Sequence, residues 1–278
     1  MSERNQYPAG VPCWVETLQP QPQAAVDFYG PLFGWELSEP EPMPGGVSGD
    51  YFVARVGGRP VAGIGTLPDL GGPPMAVWNT YVGVDSVEQS VDRVKAAGGN
   101  VLMGPLKGIP SGHFAVFADA TGAPISVCEP KARPSAQLVN EPGAWAMSSL
   151  HTTDGQSATA FYEAVFGWQP QTVGAPEAPL TLFRLPGYVG GELEGPIARD
   201  VVAAMAPPSD PSAGPTVPPH WNVNLQVSDA DAVTQGASRL GGSIIMPPTD
   251  APGFRSAVLM DPQGAAFSIS QPATGPPA

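Results

Sequence analysis

Phe28 to Trp35 reads FYGPLFGW, and Phe161 to Trp168 reads FYEAVFGW. The two stretches lie 133 residues apart, so the chain is one unit written twice. Trp78-Asn79 returns as Trp221-Asn222 and Gly98-Gly99 as Gly241-Gly242, each 143 residues on, which is a slip of ten between the halves. A period this long belongs to duplicated domains, because solenoid repeats are far shorter.

Around the first copy, Ala25, Phe28, Tyr29, Leu32 and Phe33 fall at the i, i+3, i+4, i+7, i+8 spacing of an amphipathic helix, and Gly34 stops it. Before it, residues 13–18 (CWVETL) alternate as a strand with Trp14, Glu16 and Leu18 on one face. Extended pieces follow near 35–37, 51–56 and 60–66, separated by glycine-rich turns. The same order then recurs, with a strand at 77–84, a helix on Val87, Val91 and Val94, and extended pieces at 100–103, 113–118 and 125–129. The second half repeats the plan, with strands expected up to about Glu192 and again from Trp221, and with 194–220, rich in Pro, Ala and Ser, expected as loop.

The fold class is therefore α+β, four βαβββ modules. A module with one helix cannot cover both faces of its sheet, so modules pair into two half-open β-barrel cups whose concave faces suit a ligand. The expected boundaries are a loose arm at 1–10, domains at 11–130 and 144–272, a polar, proline-bearing linker at 131–143, and a tail at 273–278.

Net charge is −13, from 12 basic and 25 acidic residues, so nucleic acid and anionic membrane surfaces are repelled. No apolar run reaches the 18 residues of a membrane span, and MSERNQYPAG holds no signal-peptide core, so a cytoplasmic protein is expected. Cys13 and Cys128 have no metal-ligand spacing and read as buried thiols, with a disulfide as the alternative. There is no G-x-S-x-G elbow, phosphate loop or dinucleotide fingerprint.

Four such modules, the FYxxxFGW helices, the GG helix stops and D-x-x-G-A at Asp119 to Ala123 and Asp261 to Ala265 together resemble the vicinal oxygen chelate superfamily, the glyoxalase/bleomycin resistance/dioxygenase fold. The resemblance runs from about Pro12 to Gln271 and is similar to the tandem, glyoxalase-like or hydroxylase-like branch. It implies metal-ligand positions at Trp14, Asn79 and Ser126 in the first cup and Met147, Asn222 and Ser268 in the second, where this chain has no His, Glu or Asp. Indole, thioether, amide and hydroxyl groups cannot supply the field that a hard divalent cation needs, so no cofactor is expected, with a displaced divalent metal as the alternative.

Glu16, on an apolar strand face, is a candidate general base or ligand anchor, or else a partnered structural carboxylate. Trp14, Trp78 and Tyr81 can wall a planar ligand or pack in a core, and Asn79 shares a face with Tyr81. His113 and Arg255 each lie six residues before the Asp of their D-x-x-G-A turn, as proton shuttle and anion clamp inside the cups or as strand-end residues. His151 alternates with Ser149 and Met147, and no two histidines have metal spacing. Asn222, Asn224 and Gln226 line one strand face, facing a ligand or the other half of the chain. Two functions follow: a metal-free module binding a small, partly aromatic organic molecule, or a glyoxalase-like lyase or hydroxylase-like oxygenase using a displaced metal or the acid–base groups Glu16 and His113. A monomer with an internal pseudo-dimer is expected, with a homodimer as the alternative.

Overall fold

A computed structural model describes residues 6–69, 74–108, 112–130, 135–174, 179–190, 199–206 and 217–273. The first half runs β1 (Pro12–Gln19), α1 (Pro22–Phe33), the short strands β2 (Glu36–Leu37) and β3 (Glu41–Pro42), a 3-10 turn at Pro44–Gly46, β4 (Asp50–Val56) and β5 (Arg59–Thr66). It continues with β6 (Val77–Gly83), α2 (Val87–Ala96), β7 (Asn100–Gly108), β8 (Gly112–Ala118) and β9 (Pro124–Cys128). The second half runs β10 (Trp145–His151), α3 (Gly155–Phe166), β11 (Gln169–Val173), β12 (Leu180–Arg184) and β13 (Val201–Ala206), then β14 (His220–Gln226), α4 (Ala230–Arg239), β15 (Ser243–Ala251), β16 (Phe254–Met260) and β17 (Ala266–Pro272).

The strands form two sheets, ordered β2-β4-β5-β1-β6-β9-β8-β7, with β3 beside β4, and β11-β12-β13-β10-β14-β17-β16-β15. In each sheet the first strands of two modules meet antiparallel at the centre, β1 on β6 and β10 on β14, and the last strand of each module lies parallel to the first. This is the paired-module cup. Contrary to the loop expected over 194–220, β13 lies inside that stretch. Its sequence, VVAAMA, is a short apolar run without polar alternation, because β13 lies between β10 and β12 with both faces covered.

Helix ends follow local chemistry. Gly34 and Gly167 close α1 and α3 in the left-handed conformation (φ 68° and 73°). Ser86, Asp154 and Asp229 cap α2, α3 and α4 by accepting backbone N–H groups three residues on.

The halves clasp each other through the repeated motif. Tyr162 of α3 donates to Asp119 Oδ2 (2.7 Å), and Tyr29 of α1 donates to Asp261 Oδ2 (2.9 Å). The motif tryptophans do the same with backbone: Trp35 Nε1 donates to Gly143 O and Trp168 Nε1 to Gly10 O, both at 2.6 Å. Thr80 and Ser148 share a hydrogen bond of 2.7 Å across the same face. Gly10 is therefore held by Trp168, and Tyr7 Oη donates to Ala136 O at 2.6 Å, so this part of the expected loose arm is packed. Ala136, Leu138 and Val139, in the stretch expected as linker, are also buried.

Candidate functional site

Strand alternation gives each sheet a face toward the other half and a face toward its cup. On β1, Thr17 and Gln19 face the other half, where Gln19 Nε2 donates to Asp261 Oδ2 at 2.7 Å. Trp14, Glu16 and Leu18 therefore face the cup, with Asn79 and Tyr81 beside them, since Glu16 pairs with Asn79 and Trp14 with Tyr81.

The first cup is filled by its own side chains. Tyr81 Oη donates to Glu16 Oε1 (2.6 Å), Tyr51 Oη donates to Glu16 Oε2 (2.9 Å), and Trp14 Nε1 donates to Tyr51 Oη (2.9 Å). Trp14, Glu16, Tyr51 and Tyr81 are all buried. Tyr51 and Gly63 give no signal in the sequence pattern. A Cβ at Gly63 would collide with the Tyr51 hydroxyl, so the missing side chain is what lets Tyr51 reach Glu16. Asn79 Nδ2 donates to Ser126 Oγ at 2.8 Å, so two of the positions implied as metal ligands are bonded to each other.

The second cup repeats that pairing and differs elsewhere. Asn222 Nδ2 donates to Ser268 Oγ and Ser270 Oγ donates to Asn224 Oδ1, both at 2.6 Å. Here Ser149 stands where the first cup has Glu16, since Ser149 pairs with Asn222 as Glu16 pairs with Asn79. Met147, Ser149, His151, His220, Asn224 and Gln226 are only half-buried along this face, and Asn224 Nδ2 has no partner among the described residues. Met246, whose partner Val258 lies on the cup face of β16, adds an exposed thioether at the rim. The three amides, expected against a ligand or the other half of the chain, face this cup; Ser148, on the opposite face of β10, shares a hydrogen bond with Thr80 of the other half.

His151 and His220 form a cross-strand pair with rings stacked at 5.2 Å and 11°. Ser149 Oγ lies 3.2 Å from His151 Nε2. Burial, with the neighbouring His220 as a smaller cause, lowers the His151 pKa to about 4, so its ring is neutral at physiological pH. His220 Nδ1 lies 2.9 Å from Pro218 O, which can only accept, so Nδ1 carries a proton. The sequence spacing hid this pair, although applying the two repeat offsets to Leu18 and Val77, neighbours in the first cup, leads to it.

Three expected cup residues lie elsewhere. Trp78 alternates with Asn79 and so lies on the face of β6 away from the cup, donating from Nε1 to Tyr29 Oη of α1 in its own half at 3.0 Å. His113 alternates with Phe114, whose ring meets Tyr81 on the cup side, so His113 faces the helix side, 3.2 Å from Glu88 and 3.5 Å from Glu129. Arg255 likewise bonds Asp231 of α4 (2.7 Å) and Asp250 (2.9 Å) outside the second cup. Cys13 and Cys128 are buried thiols not joined by a disulfide, with Sγ atoms 3.5 Å apart.

Residues 14–127 and 146–269 both match the family model of the Glyoxalase/Bleomycin resistance protein/Dioxygenase superfamily. The chain belongs to that superfamily. As a tandem superfamily member it is 37% identical over 279 residues to "Putative glyoxylase CFP32" of Mycobacterium tuberculosis, covering 98% of this chain and 99% of the relative. It is 31% identical to "Anthracycline biosynthesis protein DauV" of Streptomyces sp. strain C5, covering 95% of this chain and 94% of the relative. The superfamily fold also aligns with the Mn(II)-bound glyoxalase from Novosphingobium aromaticivorans (TM-score 0.57, 18% identity, 95% of this chain and 82% of that one). The 2,3-dioxygenase LapB from Pseudomonas sp. KL28 aligns with a TM-score of 0.60 at 10% identity, over 96% of this chain and 94% of that one. Among the described residues of this superfamily member, no helix is long and apolar enough to cross a membrane.

Proposed function

We propose that this superfamily member binds a small, partly aromatic organic molecule in its second cup, without a metal ion in either cup. The observation that carries the reading is the contrast between the floors: the first is buried and satisfied by its own Glu16 network, whereas the second is half-exposed, with thioether, hydroxyl, amide and neutral imidazole groups on one face. Methionines adapt to irregular apolar rings, and the amides and hydroxyls fix polar edges. The donor sets at the implied ligand positions, Trp14-Asn79-Ser126 and Met147-Asn222-Ser268, support metal-free binding, as the Asn and Ser of each set bond to each other. The name of the DauV relative supports a polycyclic aromatic ligand.

The test is titration of the chain with a planar hydroxyanthraquinone, followed by fluorescence quenching, beside native mass spectrometry of protein purified without chelators. Asn224→Leu should weaken binding about tenfold, the effect of removing one buried hydrogen bond to the ligand, while Glu16→Gln leaves it within a factor of about two. Binding that follows Glu16 and ignores Asn224 would move the site to the first cup; a stoichiometric ion that disappears on substitution of Asn222 or Ser268 would end the metal-free reading.

A lyase reading draws on the name of the CFP32 relative. With His113 outside the cup, Glu16 is the acid–base candidate left to it from the sequence, and that carboxylate already accepts two tyrosine hydroxyls. We also read the chain as a monomer, since each half already covers the motif helix of the other.

A further inference from the structure

Outside both cups, the described residues hold a cluster of three metal-ligating side chains. Glu88 lies in the first turn of α2, His113 at the start of β8 and Glu129 just beyond β9, and their ligand atoms fall within 4.8 Å of one another. His113 Nδ1 is buried and makes no hydrogen bond. It nevertheless lies 3.2 Å from Glu88 Oε1 and 3.5 Å from Glu129 Oε1. A tetrahedral ion with bonds of about 2.0–2.2 Å holds its ligand atoms roughly 3.3–3.6 Å apart, so both separations fit two edges of such a site to within about 0.1 Å. Both carboxylates are steadied by the start of α2: Val87 N–H donates to Glu129 Oε1, the oxygen nearest His113, and Ser86 Oγ donates to Glu88 Oε2, each at 3.3 Å. Outer contacts of this kind orient metal ligands.

The duplication supplies an internal comparison. In the second half Asp231 stands for Glu88, Arg255 for His113 and Gln271 for Glu129. Arg255 donates to Asp231 from Nε (2.7 Å) and Nη2 (3.0 Å), while Gln271 Oε1 accepts from Ala230 N–H at 3.0 Å. A guanidinium cation fills that position, and a neutral amide caps the helix. The first half has exchanged the fixed cation for an imidazole and the amide for a second carboxylate. The place that carries its own cation in one copy has thereby become a donor set for an external one in the other.

We propose that Glu88, His113 and Glu129 bind a borderline divalent cation of the zinc class, tying the first turn of α2 to β8 and β9. One imidazole and two carboxylates, with a fourth position for water, match zinc; calcium takes 6–8 oxygens and magnesium a near-ideal octahedron. The site lies on the helix side of the sheet, so it is independent of what either cup holds.

The test uses the full chain without a histidine tag, titrated with Zn2+ by calorimetry and with Co2+ by visible absorption. Glu129→Gln copies Gln271 of the other half and so keeps the helix cap; His113→Gln removes the imidazole; Asp231→Asn in the second half is the control. The expected result is one ion per chain, a tetrahedral Co2+ spectrum, affinity at least about tenfold weaker in both first-half variants and unchanged in the control. Zn2+ should also raise the unfolding temperature of the parent chain and not that of Glu129→Gln. No uptake by the parent chain, or uptake equal in Glu129→Gln and His113→Gln, would overturn the proposal and leave His113 as an ordinary ion-pair partner.

Discussion

Tyr162 Oη lies 2.7 Å from Asp119 Oδ2, joining the motif helix of the second half to the D-x-x-G-A turn of the first. Tyr29 and Asp261 make the reciprocal contact at 2.9 Å. Burial, and then the facing aspartate, push both tyrosine pKa values far above the usual range, so the phenols stay protonated and donate. The other oxygen of each aspartate accepts backbone N–H groups of its own turn, from Thr121 and Ala123 in one and Gln263 and Ala265 in the other. The two strongest sequence motifs are thus each other's partners, and they hold the cups together.

Tyr162→Phe removes a donor and leaves Asp119 Oδ2 buried without it. The expected cost is about 1–3 kcal/mol in urea unfolding, because an orphaned buried acceptor loses its hydrogen bond and regains no water. Tyr29→Phe should cost less, because Asp261 Oδ2 keeps the donor Gln19 Nε2 at 2.7 Å, and the double variant about the sum, since the two pairs share no partner. A loss below about 0.3 kcal/mol in either single variant would show that the clasp contributes nothing.

His151 predicts a pH dependence. Its folded pKa, about 4, lies below that of an unfolded histidine, about 6.5, so the unfolded chain binds the proton first as pH falls. Its contribution is complete above about pH 6.5 and is lost progressively down to about pH 4, by up to roughly 2–3 kcal/mol for a ring partly open to solvent. Unfolding midpoints at pH 7 and pH 5 should differ more in the parent chain than in His151→Gln. Equal differences would rule the histidine out as the cause.

Gly63→Ala places a methyl group against the Tyr51 hydroxyl, next to Glu16. Overpacking of this kind costs about 1–3 kcal/mol. Tyr51→Phe in the same background should recover part of it by removing the colliding oxygen. No recovery would locate the strain in the Tyr51 ring carbon, 2.6 Å from the added Cβ, instead.

Glu16→Gln separates structure from function. Two tyrosine hydroxyls donate to the carboxylate, and an amide offers only one acceptor oxygen, so stability should fall by about 1–3 kcal/mol. Ligand affinity, read by quenching, should hold, because the half-exposed floor is in the other cup. A large loss of affinity with intact folding would place the ligand on Glu16.

The sequence alone determined the duplication, the four modules and the superfamily resemblance, because a helix stripe, a left-handed glycine and strand alternation are local and survive reading one residue at a time. It also put Trp14, Glu16 and Leu18 on one face of their strand and Asn79 and Tyr81 on one face of theirs, since alternation is fixed within a strand, and the sheet register then joined the two sets. Local pattern gives two faces without saying which is concave, and for that reason it points Trp78, His113 and Arg255 toward cups they do not enter. Pairing across strands, set by sheet register and not by sequence distance, brought Tyr51 to Glu16 through the gap at Gly63 and laid His151 on His220. Only the tertiary structure decided which cup is filled and which is open, because that depends on whether side chains from separate strands satisfy one another.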